Sequence, residues 1–360
     1  MKTLIQQKLN LNSTNLSISR TKRILEFALF GIPVALLLLM FFIGVNIASA
    51  DEPSGILVDT NRINAPEIVA KNAVVYDIEN KKFIYAKNAN ESVPMASLAK
   101  IITAKVFLQL SEMRANQGNP IKAITISKKG DGFNAGDRGL VDGEVWRTEN
   151  LIRYMLITSS NIAAKSLASS IVDDEFVFSL LMNGSVKDLG FTSFNFKNSS
   201  GLPISNPNYK PTLLASSQNA IDSLSEKQGA QSPQAPSAVG SAKEIAVLFS
   251  SIFNDAPFLG KASIIPEATF INLSGNTHTT KNVNYSIFQI PNIVAGKTGT
   301  TEESGGNLVI VINVHSHEYA IVILGSTIED RYTDALKLAS STEAFVSYTA
   351  ATKEAFATLK

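Results

Sequence analysis

The sequence predicts an α+β fold in which one antiparallel sheet is assembled from both ends of a domain and a helical subdomain is inserted between them. Two strand-like runs stand early in the chain, and three stand late. Residues 105–189 show mostly helical periodicity, with a Gly-rich interruption at 130–143. The strand-like runs are 73–78, 82–86, 293–296, 307–315 and 319–325, and a closing helix is predicted at about 329–359.

Composition excludes several classes of function. The chain carries 32 Lys and Arg against 31 Asp and Glu, so nothing favours nucleic acid as a partner. It has no cysteine, and therefore no disulfide, thiol nucleophile or Cys-based metal site. His315 and His317 lie near a predicted strand end without a matching ligand set, so they predict an exposed turn. Trp146 is predicted to pack in the core or a groove, and the sequence predicts neither a metal nor a cofactor.

An uncharged stretch at 27–50 is long enough, at about 1.5 Å per helical residue, to cross a hydrocarbon core of about 30 Å. Basic residues precede it and two acidic residues follow it. The positive-inside bias therefore predicts a cytoplasmic segment at 1–26, one transmembrane helix in the cell membrane, and an extracytoplasmic remainder. Ala48 and Ala50 also fit a signal-peptidase site, so a domain exported after cleavage at Ala50 is the alternative.

The remaining chain divides into a tether at 51–65 and a single folded domain at 66–360. Residues 204–240 are rich in Ser, Gln, Asn, Pro and Ala, which predicts a flexible surface insertion within that domain. Helical periodicity resumes at Ser241, which is predicted to cap the helix, with Glu244 completing a capping box.

Ser97 and Lys100 stand three residues apart at the predicted start of a helix that follows a hairpin. At that spacing the two side chains share one helical face, so an amine can lie within hydrogen-bond distance of a hydroxyl. A serine beside such a base is a candidate nucleophile. The Ser-x-x-Lys pattern is common, and Ser19 with Lys22 repeats it in the basic segment, so it needs support from other elements.

Two further patterns follow in chain order. Ser159 and Asn161 form a Ser-x-Asn pattern on the strongest amphipathic segment, 151–167. The Lys-Thr-Gly run at 297–299 occurs once, directly after a predicted strand. Together with Ser-x-x-Lys, these patterns in this order are the signature of class A β-lactamases and penicillin-binding proteins.

The chain resembles the serine-type D-alanyl-D-alanine carboxypeptidases, the low-molecular-weight penicillin-binding group, well beyond these three patterns. Residues 95–104 resemble that family's nucleophile helix, and residues 148–168 resemble its second motif region. Later matching blocks are 198–203, 241–246 and 296–306. The resemblance covers about residues 65–335 and implies a β-lactamase/transpeptidase-like fold with an antiparallel sheet flanked by helices.

The resemblance implies a role for each motif residue. Ser97 would be the nucleophile, Lys100 its general base, and Ser159 the hydroxyl that passes a proton to the departing amine. Asn161 would bind the substrate amide, and the N–H groups of Ser97 and Thr300 would form the oxyanion hole. The substrate carboxylate would be held by one strand, through Lys297, Thr298, Gly299 and Thr300.

A lysine that acts as a base must be neutral, whereas an unperturbed lysine has a pKa near 10.4. Burial and a second nearby cation both favour the neutral amine. This requirement predicts that Lys100 is buried and that Lys297 lies close to it.

The implied reaction removes the terminal D-Ala from peptidoglycan stem peptides ending in D-Ala-D-Ala, through an acyl-enzyme on Ser97, with β-lactams as inhibitors. A class A β-lactamase is one alternative, but it would need a deacylating Glu, and residues 191–202 contain no acidic residue. A catalytically silent wall-binding protein of the same fold is another. D,D-endopeptidase activity on cross-links stays open because the same chemistry serves both bonds. One departure from the family's pattern is Ile162, where an acidic residue is usual.

Overall fold

A computed structural model describes three stretches of the chain, which are residues 63–128, 139–203 and 236–358. All of them belong to one compact unit, Asp59–Lys360. The predicted cytoplasmic segment 1–26, the predicted transmembrane segment 27–50 and residues 204–235 of the predicted insertion lie outside the described residues. Within the described stretches, every helix is either too short or too polar to cross a membrane.

The described residues form twelve β-strands and seven α-helices. The strands are β1 (Asn72–Asp77), β2 (Lys82–Lys87), β3 (Ser92–Pro94), β4 (Ala123–Thr125), β5 (Val145–Arg147), β6 (Asn195–Phe196), β7 (Ala238–Ser241), β8 (Glu267–Ile271), β9 (Thr277–Lys281), β10 (Ile293–Thr301), β11 (Gly305–Val314) and β12 (His317–Ser326). The helices are α1 (Ala99–Asn116), α2 (Thr148–Thr158), α3 (Asn161–Ile171), α4 (Glu175–Asp188), α5 (Ala242–Asp255), α6 (Pro257–Ser263) and α7 (Asp330–Thr358).

A five-stranded antiparallel sheet with the order β10-β11-β12-β1-β2 forms the centre of the domain. Its strands come from both ends of the domain, which confirms the predicted α+β arrangement. All five strand-like runs found in the sequence lie in this sheet, with their ends shifted by a few residues. The pairing of β1 with β12 joins the first described strand to the last.

Alternating side chains bury the sheet on both faces. On β11, Val309 and Val311 face the core shared with α1 to α6, whereas Leu308, Ile310 and Ile312 face the core shared with α7. A strand buried on both faces reads as a continuous apolar run, which is why β11 is easily recognised in the sequence.

Helix α7 is the predicted closing helix, and its first half covers one face of the sheet. Tyr332, Ala335, Leu338 and Ala339 are buried at the three- and four-residue spacing expected of one helical face. The sheet therefore lies between α7 and the helical subdomain.

The region predicted as mostly helical also contains a short ribbon of β4 and β5. Trp146 on β5 is fully buried, and its ring packs against Tyr154, Phe270 and His278. This placement confirms Trp146 as a packing residue. The ribbon was not predicted because each of its strands has only three residues, too few to show a period of two.

Two predictions near the insertion need correction. Residues 238–240, assigned to the flexible insertion, belong to β7, which pairs with β3 and β6. Ser241 caps α5 by accepting a hydrogen bond from Glu244 N at 3.2 Å. The Glu244 carboxylate, however, accepts from Ser193 N (2.8 Å) and Ser193 Oγ (2.6 Å), so the capping box is only half formed.

His315 and Ser316 form the predicted exposed turn, between β11 and β12. Both have positive φ, 51° and 68°, as the type I′ turns that join twisted strands require. His315 Nε2 lies 3.1 Å from Ser347 Oγ on α7.

Candidate active site

Ser97 lies on a single turn of 3-10 helix, Ala96–Leu98, that leads directly into α1. Ala96 has a φ of 51°, which residues other than Gly rarely adopt unless the surrounding structure holds them there. The sheet provides part of that support, because Asn307 Nδ2 on β11 donates to Pro94 O at 2.9 Å. Ser97 is buried at 8% exposure, with its hydroxyl held at the beginning of the helix.

Lys100, one turn further along, is completely buried. Its Nζ lies 2.8 Å from Ser97 Oγ, as the three-residue spacing predicts. The same nitrogen donates to Asn161 Oδ1 at 2.7 Å and to the carbonyl oxygen of Ser200 at 2.8 Å. Two acceptors from other elements therefore orient the amine toward the hydroxyl.

The amphipathic segment 151–167, predicted as continuous, is two helices. Ser159 ends α2 in the left-handed conformation, with φ 58° and ψ 29°. Ser160 then caps α3, because its Oγ accepts from Ala163 N at 3.0 Å. At this break between the helices, Ser159 Oγ accepts a hydrogen bond from Lys297 Nζ at 2.7 Å. The adjacent pair of serines, favoured at helix caps, was the available signal for this break.

Lys297 is 1% exposed and also donates to Thr298 O at 2.7 Å. Its pKa lies well below the usual range for lysine, first because burial disfavours the ammonium and then because Lys100 and Arg331 add positive charge nearby. The two lysines predicted to share one site do lie close enough to interact. The positive charges of Lys100 and Arg331 make it harder for Lys297 to stay charged.

Strand β10 continues through the Lys-Thr-Gly run and ends at Thr301, so the prediction that the run follows the strand is wrong. Gly296 N donates to Ser263 Oγ at 2.9 Å, on the side away from β11. Because N–H groups two residues apart point the same way, those of Thr298 and Thr300 face the same free edge. The edge of the sheet opposite β11 therefore carries these N–H groups close to the Ser97 turn, against which Gly299 packs.

Two glycines let the chain close around the Ser97 turn. A Cβ at Gly299 would lie 2.6 Å from Met95 O, which explains why β10 can approach so closely only with Gly there. A Cβ at Gly201, which has a φ of 78°, would lie 2.1 Å from Ala96 O. The turn that carries Ser97 is thus held between β10 and the loop at 198–201.

Arg331, at the start of α7, is a site residue that the sequence analysis missed. It is 6% exposed, and its Nη1 donates to Thr300 Oγ1 at 2.7 Å and to Gly299 O at 3.2 Å. Its Nη2 donates to Tyr332 Oη at 2.7 Å, and its guanidinium lies 4.7 Å from the Tyr332 ring centre. An arginine in the first turn of the closing helix carries no motif that would single it out.

The structure brings the predicted site residues into two connected groups. Ser97, Lys100 and Asn161 form one hydrogen-bonded group, and Ser159 with Lys297 forms the other. Thr298, Gly299 and Thr300 follow Lys297 along β10, where Thr300 meets Arg331. Ile162, the departure from the family's pattern, is buried in the apolar core and contributes no charge to the site.

The sequence and the fold are similar to those of known proteins. A 26% identical relative, over 262 residues and 72% of each chain, is a D-alanyl-D-alanine endopeptidase of Escherichia coli (strain K12). Another, 26% identical over 286 residues (77% of this chain and 62% of the relative), is the D-alanyl-D-alanine carboxypeptidase DacC of the same organism. Penicillin-binding protein D2 of Listeria monocytogenes, solved in an ampicillin-bound form, has the same fold, with a TM-score of 0.59 and 22% identity, covering 77% of this chain and 98% of that one.

The profile of one protein family, described as D-alanyl-D-alanine carboxypeptidase, matches residues 59–327. The match spans the central sheet, the helical subdomain and all three sequence patterns, and it stops just before α7. It covers well over half of the chain. The chain therefore belongs to the D-alanyl-D-alanine carboxypeptidase family of serine peptidases, the low-molecular-weight penicillin-binding proteins.

Proposed function

We propose that this protein is a penicillin-sensitive serine D,D-carboxypeptidase that removes the terminal D-Ala from peptidoglycan stem peptides through an acyl-enzyme on Ser97. The observation that carries the proposal is the buried Lys100 amine, 2.8 Å from Ser97 Oγ and oriented by two further acceptors. A nucleophile with a base at this distance is the minimum that acyl transfer needs.

Acylation starts when neutral Lys100 takes the proton of Ser97 Oγ and the oxygen attacks the carbonyl of the penultimate D-Ala. The N–H groups of Ser97 and Thr300 stabilise the oxyanion, the former at a helix start where backbone donors are unpaired. The C–N bond then breaks, and the departing amine receives a proton through the Ser159 hydroxyl. Water later attacks the acyl carbon and frees Ser97.

Strand β10, which carries Lys297, binds the substrate carboxylate. Lys297 and the hydroxyls of Thr298 and Thr300 offer donors along β10, and Asn161 offers an amide for the peptide backbone. Arg331 adds a buried positive charge next to Thr300. A carboxylate bound here favours the charged form of Lys297 and thereby offsets the cost of its burial.

A β-lactam enters the same scheme with one difference. The lactam C–N bond breaks on attack, but the amine stays tethered to the acyl group and cannot diffuse away. The adduct on Ser97 therefore persists unless a base activates water for its hydrolysis.

Incubation with a penicillin, followed by intact-protein mass measurement and peptide mapping, tests the proposal. We expect a lasting adduct on Ser97 that is absent in Ser97→Ala, and release of D-Ala from a D-Ala-D-Ala pentapeptide. Unmodified protein with intact penicillin would favour the catalytically silent wall-binding alternative. Unmodified protein with hydrolysed penicillin would favour the β-lactamase.

A second candidate is D,D-endopeptidase activity on cross-linked stem peptides. It is favoured by the endopeptidase name of the 26% identical relative, which is matched over 72% of both chains. Both substrates need the same acyl-enzyme, so the two activities separate only by their products. A purified cross-linked muropeptide dimer that is converted to monomers would assign the endopeptidase activity.

We also propose that the catalytic domain lies outside the cytoplasm, held to the membrane by residues 27–50. The uncharged run and the basic residues before it support this location. Protease added to intact spheroplasts should then digest the domain. An N-terminus beginning at Asp51 in the mature protein would instead show that the segment is a cleaved signal.

A further inference from the structure

Lys100 depends on two acceptors that come from separate parts of the fold. Asn161 Oδ1 comes from the start of α3, and the carbonyl of Ser200 comes from the loop at 198–201. Since neither lies on α1, the direction of the amine depends on how α3 and this loop are placed relative to each other.

The loop is held from within and from outside. Asn198 Oδ1 accepts from Gly201 N at 2.7 Å and from Ser200 N at 3.2 Å, which fixes the tight turn. Thr103 Oγ1, one turn beyond Lys100 on α1, donates to Ser199 O at 2.6 Å. These bonds set the shape of the loop and its distance from α1.

Glu175, the first residue of α4, contacts both elements that serve Lys100. Its Oε1 accepts from Ser199 Oγ at 2.6 Å and from Ser199 N at 3.2 Å. Its Oε2 lies 3.5 Å from Lys165 Nζ, and Lys165 stands one turn after Asn161 on α3. One carboxylate thus ties the loop that carries Ser200 to the helix that carries Asn161.

We propose that Glu175 is a positioning residue for the general base: it acts through Ser199 and Lys165 to hold the two acceptors of Lys100 at the spacing that keeps the amine on Ser97 Oγ. The inference rests on the proposed acylation of Ser97.

The chain offers a matched control in Glu244. This carboxylate also lies in the first turn of a helix, α5, and also accepts from a serine N–H and hydroxyl, those of Ser193 at 2.8 and 2.6 Å. The segment that it holds, at Ser193, is neither the loop at 198–201 nor α3, which supply the two acceptors of Lys100. Loss of either carboxylate should therefore have a similar effect on folding, but only loss of Glu175 should change the position of the Lys100 amine.

The test measures, in the full-length protein in detergent, the first-order acylation rate constant and the dissociation constant for a penicillin by stopped-flow. Glu175→Ala should lower the acylation rate constant about 10- to 100-fold, because a shift of up to about 1 Å in a reacting group costs up to about 100-fold. The dissociation constant should stay within about twofold, since Glu175 contacts Ser199 and Lys165 and these are not the residues proposed to bind the substrate carboxylate. Glu175→Gln keeps a carbonyl acceptor for Ser199 but loses the ion pair with Lys165, so its acylation rate constant should lie between those of Glu175→Ala and wild type.

Ser199→Ala and the double variant with Glu175→Ala complete the experiment. The two losses should be strongly non-additive, because they remove the same bond. Glu244→Ala should acylate at the wild-type rate. Melting temperatures identify any variant that unfolds. If Glu175→Ala is one of them, the single variants Glu175→Gln and Ser199→Ala are compared with Glu244→Ala in its place.

The inference is overturned if Glu175→Ala acylates as fast as wild type, if its slower reaction comes from weaker binding, or if Glu244→Ala slows acylation equally. These results differ from failure of the proposed function, in which the wild-type protein itself forms no adduct on Ser97.

Discussion

Gly201→Ala is expected to separate the Ser97 turn from the loop that orients Lys100. The new Cβ would lie 2.1 Å from Ala96 O, about 1.3 Å closer than ordinary contact. Positive φ on a residue other than Gly costs about 1–2 kcal/mol, and overpacking a tight site costs about 1–3 kcal/mol more. We expect a loss of about 2–5 kcal/mol in unfolding free energy and, from a displacement near 1 Å, acylation slowed about 100-fold.

Gly118→Ala is the control for the cost of a positive φ alone, without a steric clash. Gly118 has nearly the same φ, 80°, but a Cβ there would meet nothing within 4 Å. It should cost only about 1–2 kcal/mol and leave acylation unchanged. Labelling with a fluorescent penicillin over time, beside urea unfolding curves, measures both quantities. Acylation of Gly201→Ala at the wild-type rate, or equal slowing in Gly118→Ala, would refute this reasoning.

Three further changes test the groups around Ser97. The pKa of Lys297 is lower in the folded protein than in the unfolded chain. At pH values between the two pKa values the unfolded chain binds more protons, so the stability of the fold should rise with pH toward about 10.4. Lys297→Met should flatten this rise in Tm with pH. Ser159→Gly should preserve or raise Tm, because Gly tolerates the φ of 58°, while kcat falls about 100-fold with loss of the hydroxyl. Arg331→Lys keeps the charge but loses the planar guanidinium that joins Thr300 and Gly299 to Tyr332, so KM for a D-Ala-D-Ala peptide should rise about tenfold or more with a smaller change in kcat.

Each of these expectations has a contrary outcome. An unchanged Tm profile in Lys297→Met would show that this amine does not titrate differently on folding. Wild-type kcat in Ser159→Gly would remove the hydroxyl from proton transfer. An unaltered KM in Arg331→Lys would leave the guanidinium a purely structural role.

The parts of the site that could be predicted from the sequence depend on local geometry. Ser97 and Lys100 meet because three residues make about one helical turn, and that relation holds in any helix. The strands of the sheet were likewise visible, since burial on both faces leaves long apolar runs.

The parts that could not be predicted depend on single backbone conformations or distant contacts. The left-handed φ of Ser159 splits one amphipathic segment into two helices without disturbing its apolar pattern. Ser200 serves Lys100 with its carbonyl, which any residue type carries. Arg331 contacts Thr300, more than thirty residues earlier in the chain, and Glu175 contacts Ser199, more than twenty residues later. Neither separation matches the repeat of a helix or a strand, so no sequence pattern predicts these contacts.

The pairing of β1 with β12 also constrains how the protein is made. Residues such as Val74 and Val322, almost 250 positions apart, must meet before the centre of the sheet exists. Sheets that depend on such distant pairing form slowly, and their unpaired strands can associate with the wrong partners meanwhile. The nascent chain would therefore be unable to capture penicillin until β12 and Arg331 have emerged from the ribosome. Ribosome-bound chains arrested before and after α7, probed with labelled penicillin, would reveal the length at which activity first appears.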